Sequence, residues 1–178
     1  MIRMLPLAQR VLLPEQVREL DRIAIEDHGI EGYELMCRAG AAAVNAALEQ
    51  FPDTRRWRIF CGSGNNAGDG YVIGRLALSA GNEVELISVA APEKLTGDAA
   101  RAYEDYVAAN GTVKSWSDYP LADSPAPDLV VDALLGTGLL RELKGDYLDA
   151  VNAINAGAAP VLAIDTPTGL DAATGRVL

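Results

Sequence analysis

Four glycines are concentrated in the segment Gly62–Gly70, where the polar residues Asn65, Asn66 and Asp69 stand among them. Glycine permits a tight turn and leaves backbone N–H groups free to face a pyrophosphate at the N-terminus of a helix. Gly62, Gly64 and Ala67 also satisfy the loose G-x-G-x-x-G/A spacing of dinucleotide-binding turns. The segment therefore predicts a phosphate-binding turn, although this spacing alone is weak evidence.

A turn that only binds phosphate does not require the polar side chains found in this segment. Asn65, Asn66 and Asp69 suggest contacts with a ligand or a cation. The structural alternative is that both asparagines accept left-handed backbone geometry and that Asp69 caps the helix. A dinucleotide-dependent oxidoreductase would also place an acidic residue at the tip of the next strand. That tip reads Val89–Pro92 without an acid, which speaks against hydride transfer.

A second segment, Val130–Gly138, is an apolar strand that contains Asp132 and ends in a glycine turn. Burying a carboxylate without a partner costs several kcal/mol. Asp132 is therefore expected to bind a cation, to accept backbone donors, or to protrude at the end of the strand. A carboxylate that only stabilises its own turn is the structural alternative.

A third segment, Ala163–Asp171, runs from a strand into Asp165 and then into a rigid proline turn. Thr168 and the backbone carbonyls there offer neutral oxygens, which hard cations accept as ligands. Together with Asn66 and Asp132 they form an oxygen set of low charge, which suits a monovalent ion better than magnesium. Asp171 is expected to stabilise its own turn.

The periodicity of apolar residues places these segments on alternating elements. Two helices lead the chain, one from Pro14 to near Gly29 and one over Tyr33–Leu48. Short β-type segments then alternate with helices of crossover length, which predicts right-handed βαβ units and a parallel sheet. The predicted strands are Trp57–Cys61, Glu83–Val89, Asp128–Leu134 and Pro160–Asp165, and the crossover helices are Tyr71–Ala80, Asp98–Ala109 and Asp146–Ala156. Ligands of such sheets bind at the carboxyl ends of the strands, so these ends form the candidate site.

Composition narrows the function class. The chain has 178 residues, the size of one domain, and a net charge of −10 that argues against a nucleic-acid partner. Its two cysteines are too few for a disulfide framework, which favours a cytoplasmic location. No apolar run approaches the length of a membrane span, and Met1–Arg10 lacks a signal-peptide core. Cys61 has no neighbouring base in the sequence and is expected to pack in the core.

The three segments, in this order and spacing, resemble the NAD(P)H-hydrate epimerase family, also called the YjeF N-terminal domain. The resemblance covers the chain from about Leu13 to its end. It implies a three-layer Rossmann-like α/β fold with a mainly parallel sheet and two N-terminal helices. It also implies a single domain over residues 1–178, truncated at the C-terminus. Ala67 stands where the family usually has glycine, and Thr168 where it usually has serine; both are expected to be tolerated.

The implied activity is interconversion of the R and S epimers of hydrated NADH or NADPH, NAD(P)HX, a damage product in which water has added to the nicotinamide ring. The resemblance implies a potassium ion as cofactor, held by Asn66, Asp132 and Thr168. Asp165 is the candidate acid–base residue, and Asp69 is the second candidate. The implied substrate contacts are Asn65, Asn66, Ala67, Gly68, Asp69, Gly136, Thr137, Gly138, Leu139, Leu140, Arg141, Glu142 and Asp165.

A homodimer is the expected assembly, and an ADP/ATP-dependent dehydratase domain is the expected companion if the chain is part of a bifunctional protein. Two other functions remain open at this point. One is a nucleotide- or ADP-ribose-binding module without catalysis. The other is an NAD-dependent oxidoreductase, which the strand tip described above disfavours.

Overall fold

A parallel β-sheet of five strands forms the centre of the protein in the computed structural model, which describes residues 12–119 and 124–178. The strand order is β3-β2-β1-β4-β5, and all four neighbouring pairs are parallel. The predicted α/β class with a parallel sheet is therefore confirmed. The strands are β1 (Arg56–Cys61), β2 (Glu83–Ser88), β3 (Val113–Ser115), β4 (Leu129–Ala133) and β5 (Val161–Ala163).

Five α-helices accompany the strands in the part of the chain that the structure describes. They are α1 (Pro14–Arg22), α2 (Gly32–Gln50), α3 (Asn65–Ser79), α4 (Gly97–Ala108) and α5 (Asp146–Ala156). Two features stabilise the N-terminus of α1. A proline occupies the first turn, and the Gln16 side chain accepts a hydrogen bond from the Leu13 N–H at 2.9 Å. One turn of π-helix, Ile23–Asp27, follows it. The two leading helices are thus present as predicted.

The two faces of the sheet are covered by different helices. On one face, strand residues Trp57, Ile59 and Val131 pack in a cluster with residues of α2, α3 and α4. On the other face, Phe60 and Val130 pack in a cluster with Ala150 and Ile154 of α5. Because the central strands are buried on both faces, they read as nearly continuous apolar sequence. The arrangement has three layers, as expected.

The boundaries differ from the predictions in two informative places. Helix α3 begins at Asn65, six residues before the predicted Tyr71. Strand β3 was not predicted, because its three residues Val113–Ser115 carry little apolar signal and pair only with β2. In the loop between β3 and β4, Trp116–Asp118 form one 3₁₀ turn, and the Trp116 ring packs edge-on against Phe60.

Residues 120–123 of that loop and the N-terminal segment Met1–Arg10 lie outside the described residues. Within the described ranges, every helix is too short or too polar to cross a lipid bilayer.

Strand order determines where a ligand can bind. The chain leaves β1 toward β2 on one side of the sheet, whereas β4 lies on the other side of β1. The carboxyl ends of β1 and β4 therefore border the point at which the strand order reverses, which is the usual ligand position in open α/β sheets. The segment Gly62–Gly64 follows β1, and the segment beginning at Leu134 follows β4.

Candidate functional site

A cavity of about 1480 Å³ opens at these strand ends. It is lined by three segments that the sequence singled out, namely the start of α3, residues 136–142 and Asp165. Ligand cavities are commonly about 300–1,000 Å³, so this one has room for a dinucleotide. The structure thus brings the strand-end segments together at one place.

The predicted glycine turn is largely helical. Asn65 and Asn66 are the first two residues of α3, and the positive-φ residues other than glycine among those described are Asn110 and Asp165. The two asparagines therefore do not occupy left-handed backbone geometry. No side chain caps α3, whose N-cap residue is Gly64, so Asp69 is not a cap either. Both parts of the structural alternative are wrong, because helix geometry carries these side chains toward the cavity instead.

Two of the predicted substrate contacts do not line the cavity. Ala67 is completely buried in the core cluster. Gly68 faces α2 and α4, since a Cβ added there would lie 2.7 Å from the Met36 sulfur and 3.0 Å from the Ala99 Cα. Helical periodicity explains the difference, because Asn65, Asn66 and Asp69 lie on one face of α3 and Ala67 and Gly68 on another. Ala67 in place of glycine is accommodated in helical backbone.

Asp69 lies on the cavity wall, one turn into α3. Burial, and to a smaller extent the negative charges of Asp165 and Asp21, together raise the pKa of this carboxyl group to about 7. A carboxyl group with a pKa near neutrality exchanges protons readily at physiological pH. Asp69 is therefore suited to act as a proton donor or acceptor.

Asp165 follows β5 and is held in a left-handed backbone conformation with φ of 66°. Its Oδ2 atom accepts a hydrogen bond from the Thr137 N–H at 2.6 Å. A Cβ added to Gly136 would overlap this carboxyl group, so glycine is required for the close approach. The carboxyl group of Asp165 is thus fixed against the segment that follows β4.

Asp132, near the end of β4, is buried and does not line the cavity, and it is satisfied by hydrogen bonds. Its Oδ1 accepts from the Leu134 N–H at 3.2 Å and from the Thr168 hydroxyl at 2.7 Å, and its Oδ2 accepts from the Thr168 N–H at 2.9 Å. Of the roles considered for Asp132, the acceptance of backbone donors is the one that the structure displays. Its contacts join the turn after β5 to the end of β4.

Thr168 extends this connection by one further residue. Its hydroxyl oxygen accepts from the Leu135 N–H at 3.1 Å and lies 3.0 Å from the Leu135 carbonyl oxygen. Asp132 and Thr168 are both buried, with 6% and 8% of their surface exposed. Two of the three predicted ion ligands are therefore in direct contact with each other.

The third predicted ligand, Asn66, has an unusual side chain. Both its amide oxygen and its amide nitrogen are buried, and neither has a hydrogen-bond partner among the described residues. Leaving buried polar atoms unpaired costs about 1–3 kcal/mol for each group. Such atoms at the edge of a cavity are available to coordinate a ligand or an ion.

Several cavity residues were not identified as site residues from the sequence. Val17, Arg18 and Asp21 reach the cavity from α1, and Ser63 and Tyr147 line it from the segment after β1 and from α5. The Tyr147 hydroxyl donates to the Ser63 Oγ at 3.2 Å. The i, i+3 spacing of Arg18 and Asp21 was the available signal, but no local pattern predicts that α1 lies over the strand ends.

Two residues outside the cavity chemistry behave as expected. Cys61 is fully buried, and burial raises the pKa of its thiol well above the usual range. Asp171 accepts from the Ala173 and Thr174 N–H groups at 3.1 and 2.8 Å and so stabilises its own turn. Neither residue is available as a nucleophile or ligand in the cavity.

Fold and site together define an α/β protein of the Rossmann-like type, with a cavity rich in carboxyl groups at the strand-order reversal. Residues 32–178 match the family model described as YjeF-related protein N-terminus, and the chain belongs to this family.

Curated relatives support the same assignment. The chain is 41% identical to the bifunctional NAD(P)H-hydrate repair enzyme Nnr of Coxiella burnetii over 91% of its length, and 39% identical to that of Escherichia coli over 90%. It spans about a third of these proteins, 32% and 31% respectively. It is 39% identical to the NAD(P)H-hydrate epimerase of Bordetella pertussis, covering 92% of the chain and 68% of that protein.

A solved structure gives the same fold. The crystal structure of yeast YNL200c superposes with a TM-score of 0.85 at 21% sequence identity, covering 95% of this chain and 75% of that one. At this identity the likeness concerns the fold alone.

Proposed function

We propose that this chain catalyses the interconversion of the R and S epimers of hydrated NADH and NADPH. The observation that carries the proposal is the pair of carboxyl groups in one cavity, Asp69 with its pKa raised to about 7 and the neighbouring Asp165. Relatives named NAD(P)H-hydrate epimerase support the choice of reaction.

Epimerisation requires that the hydroxyl group leave one face of the ring carbon and that water return on the other face. Departure consumes one proton, because the hydroxyl leaves as water, and return releases one proton. A carboxyl group that changes protonation near neutral pH serves both steps. We assign the acid–base role on the hydroxyl to Asp165, held toward the cavity by the Thr137 N–H, and the storage of the exchanging proton to Asp69.

The substrate contacts are proposed to come from Asn65, Asn66 and Asp69 at the start of α3 and from residues 136–142. The N-terminus of α3 carries free backbone N–H groups that favour a phosphate. The contribution of Ala67 and Gly68 is then confined to their backbone, because their side-chain positions face the core.

We also propose that Asn66, Asp132 and Thr168 hold a potassium ion. The unpartnered buried amide of Asn66 and the buried carboxylate of Asp132 fit an ion that prefers oxygen ligands. Among the described residues no cluster of three or more His, Cys, Asp or Glu side chains suits a metal of higher charge. When bound, the ion supplies positive charge that fixes the start of α3 and favours an anionic substrate.

The epimerase proposal is tested with Asp165→Asn and Asp69→Asn, and with Asp53→Asn as the matched control on an exposed turn. Conversion of the R to the S epimer is followed chromatographically in potassium buffer, with the spontaneous rate subtracted. Loss of general acid–base catalysis is expected to lower kcat by roughly 10²-fold or more in the Asp165 variant. Full activity in this variant would remove Asp165 from the role. Binding of ADP-ribose without any acceleration in the parent protein would favour the non-catalytic module.

The potassium proposal has an independent readout. Replacing potassium by choline is expected to lower the melting temperature of the parent protein, because a bound ion stabilises the folded state. In the Asn66→Ala variant the same exchange is expected to have no effect. An unchanged melting temperature in the parent would contradict the ion site.

We further propose that the chain forms a homodimer and acts together with an ADP/ATP-dependent dehydratase. Exposed apolar side chains such as Leu20 and Leu140, 52% and 85% exposed, are of the kind that subunit interfaces bury. The bifunctional relatives support the second part. Light scattering after gel filtration measures the first, and a monomer at all accessible concentrations would contradict it.

A further inference from the structure

The charges around the cavity present a problem for a phosphate-bearing ligand. Four acidic residues line it, Asp21, Asp69, Glu142 and Asp165. A dinucleotide adds at least two negative phosphate charges to this environment. Cationic side chains that face the phosphates would offset this repulsion in addition to the N-terminus of α3.

Three cations line the cavity, and they differ in what they contact. Lys144 lies 3.8 Å from Glu142, which offsets its charge. Arg141, in the segment after β4, makes no ion pair within the described parts of the chain. It belongs to the substrate contacts already proposed. Arg18, on α1, is the third cation, and nothing in the proposed function uses it.

Acidic residues of α1 and of the turn after it form ion pairs with Arg22 and not with Arg18. Arg22, one turn later, lies within 2.8 Å of both Glu19 and Glu26 and 3.6 Å from Asp27. Within the described ranges, Arg18 has no ion-pair partner, although it stands three residues from Asp21 on the same helix. An unpaired guanidinium group on the wall of an acidic cavity is suited to bind an anion.

The packing of α1 gives a second, independent observation. In the described segment 12–119, Pro14 is the one buried residue of α1, and Leu20 remains 52% exposed. Burial of apolar surface therefore contributes little to holding α1 over the cavity. A ligand that contacts both α1 and the strand ends would add the missing stabilisation.

We propose that Arg18 binds a phosphate group of the dinucleotide and thereby fastens α1 over the bound substrate. This inference rests on the proposed function only in taking the ligand to be a dinucleotide. Two phosphates have the required chemistry, the bridging pyrophosphate and the 2′-phosphate that distinguishes NADPHX from NADHX. Arg18 and Arg141 both line the cavity, so that one phosphate would be bound from α1 and another from the segment after β4.

The test compares Arg18→Ala with Arg22→Ala, a control that removes the same charge from the same helix outside the cavity lining. Calorimetry measures the binding of ADP-ribose and of 2′-phospho-ADP-ribose in low-salt potassium buffer. Loss of a charge-assisted contact at an exposed site is expected to weaken binding about tenfold in the Arg18 variant. A loss with both probes identifies the pyrophosphate, and a loss with the phosphorylated probe alone identifies the 2′-phosphate. Equal losses in the Arg22 variant, or none in either, would overturn the proposal.

Hydrogen exchange and kinetics distinguish a phosphate contact of Arg18 from a purely structural role of this residue. ADP-ribose is expected to slow amide exchange over Pro14–Arg22 in the parent protein and not in the Arg18 variant. In the same variant KM is expected to rise about tenfold, with kcat within twofold of the parent. If the parent binds ADP-ribose through Arg18 but does not accelerate epimerisation, the epimerase proposal fails and the phosphate contact stands. Absence of binding by the parent would overturn the phosphate contact, whereas the epimerase proposal is decided by the measured R-to-S conversion.

Discussion

Asp69 gives a stability prediction that does not depend on knowing the substrate. Its pKa is raised from an ordinary value of 3.8 to about 7, first by burial and then by the charges of Asp165 and Asp21. The folded state therefore holds a proton that the unfolded chain has released between about pH 4 and pH 7. Stability is fully present below this window and decreases as the pH rises through it.

The magnitude follows from the two pKa values. Each unit of difference corresponds to about 1.4 kcal/mol, so the raised pKa of Asp69 lowers the free energy of unfolding by about 2 kcal/mol at pH 5.5, where folding takes up a proton, and by about 4 kcal/mol at pH 8.5, where the folded carboxyl group is ionised. These are upper values, since Asp69 is not fully buried. Asp69→Asn removes the charge and keeps the shape. It should therefore stabilise the protein, by about 2 kcal/mol more at pH 8.5 than at pH 5.5.

The assay is urea unfolding of the parent and the variant at both pH values, with Asp53→Asn as control. Asp53 is exposed on the turn after α2, so its variant is expected to follow the parent within about 0.5 kcal/mol at each pH. The claim that ionisation of Asp69 destabilises the folded protein would be refuted by either of two results. One is a variant whose gain in the free energy of unfolding is the same at both pH values, and the other is a variant that is less stable than the parent at pH 8.5.

Three further predictions concern the same site. If Asp69 must carry a proton, kcat is expected to fall as the pH rises above about 7; a flat profile from pH 6 to pH 9 would contradict this. Thr168→Val leaves the Leu135 N–H unpaired and is expected to lower the free energy of unfolding by about 1–3 kcal/mol in urea titrations. Gly136→Ala forces the carboxyl group of Asp165 aside and is expected to reduce kcat at least tenfold with little change in melting temperature. Retained activity would show that the present position of the Asp165 carboxyl group is not required.

The layout of the sheet was accessible from the sequence because buried parallel strands produce short apolar runs separated by helical periodicity. Strands β1, β2, β4 and β5 were located to within a few residues. Strand β3 was not, because Val113–Ser115 are mostly exposed and gain their β structure from pairing with β2, a tertiary effect that local pattern does not encode.

The glycine segment shows why the site was only partly predictable. Its glycines favoured a turn, but packing against the core makes the backbone helical from Asn65 onward, and the same residues then divide between cavity and core. The contact between Asp132 and Thr168 joins positions 36 residues apart and depends on the parallel pairing of β4 with β5. The left-handed backbone of Asp165 also has no local signal, since a non-glycine residue adopts it only where surrounding contacts compensate.

The edges of the sheet differ in a way that bears on the behaviour of the protein in solution. The β3 edge carries Lys114, a charge of the kind that discourages edge-to-edge pairing. The β5 edge is Val161–Ala163 without any charge, and Val161 is 43% exposed. Its outer backbone groups can accept a strand from another molecule in register. Concentrated preparations are therefore expected to self-associate through β5. Val161→Lys is expected to suppress this association without disturbing the cavity at the opposite ends of the strands.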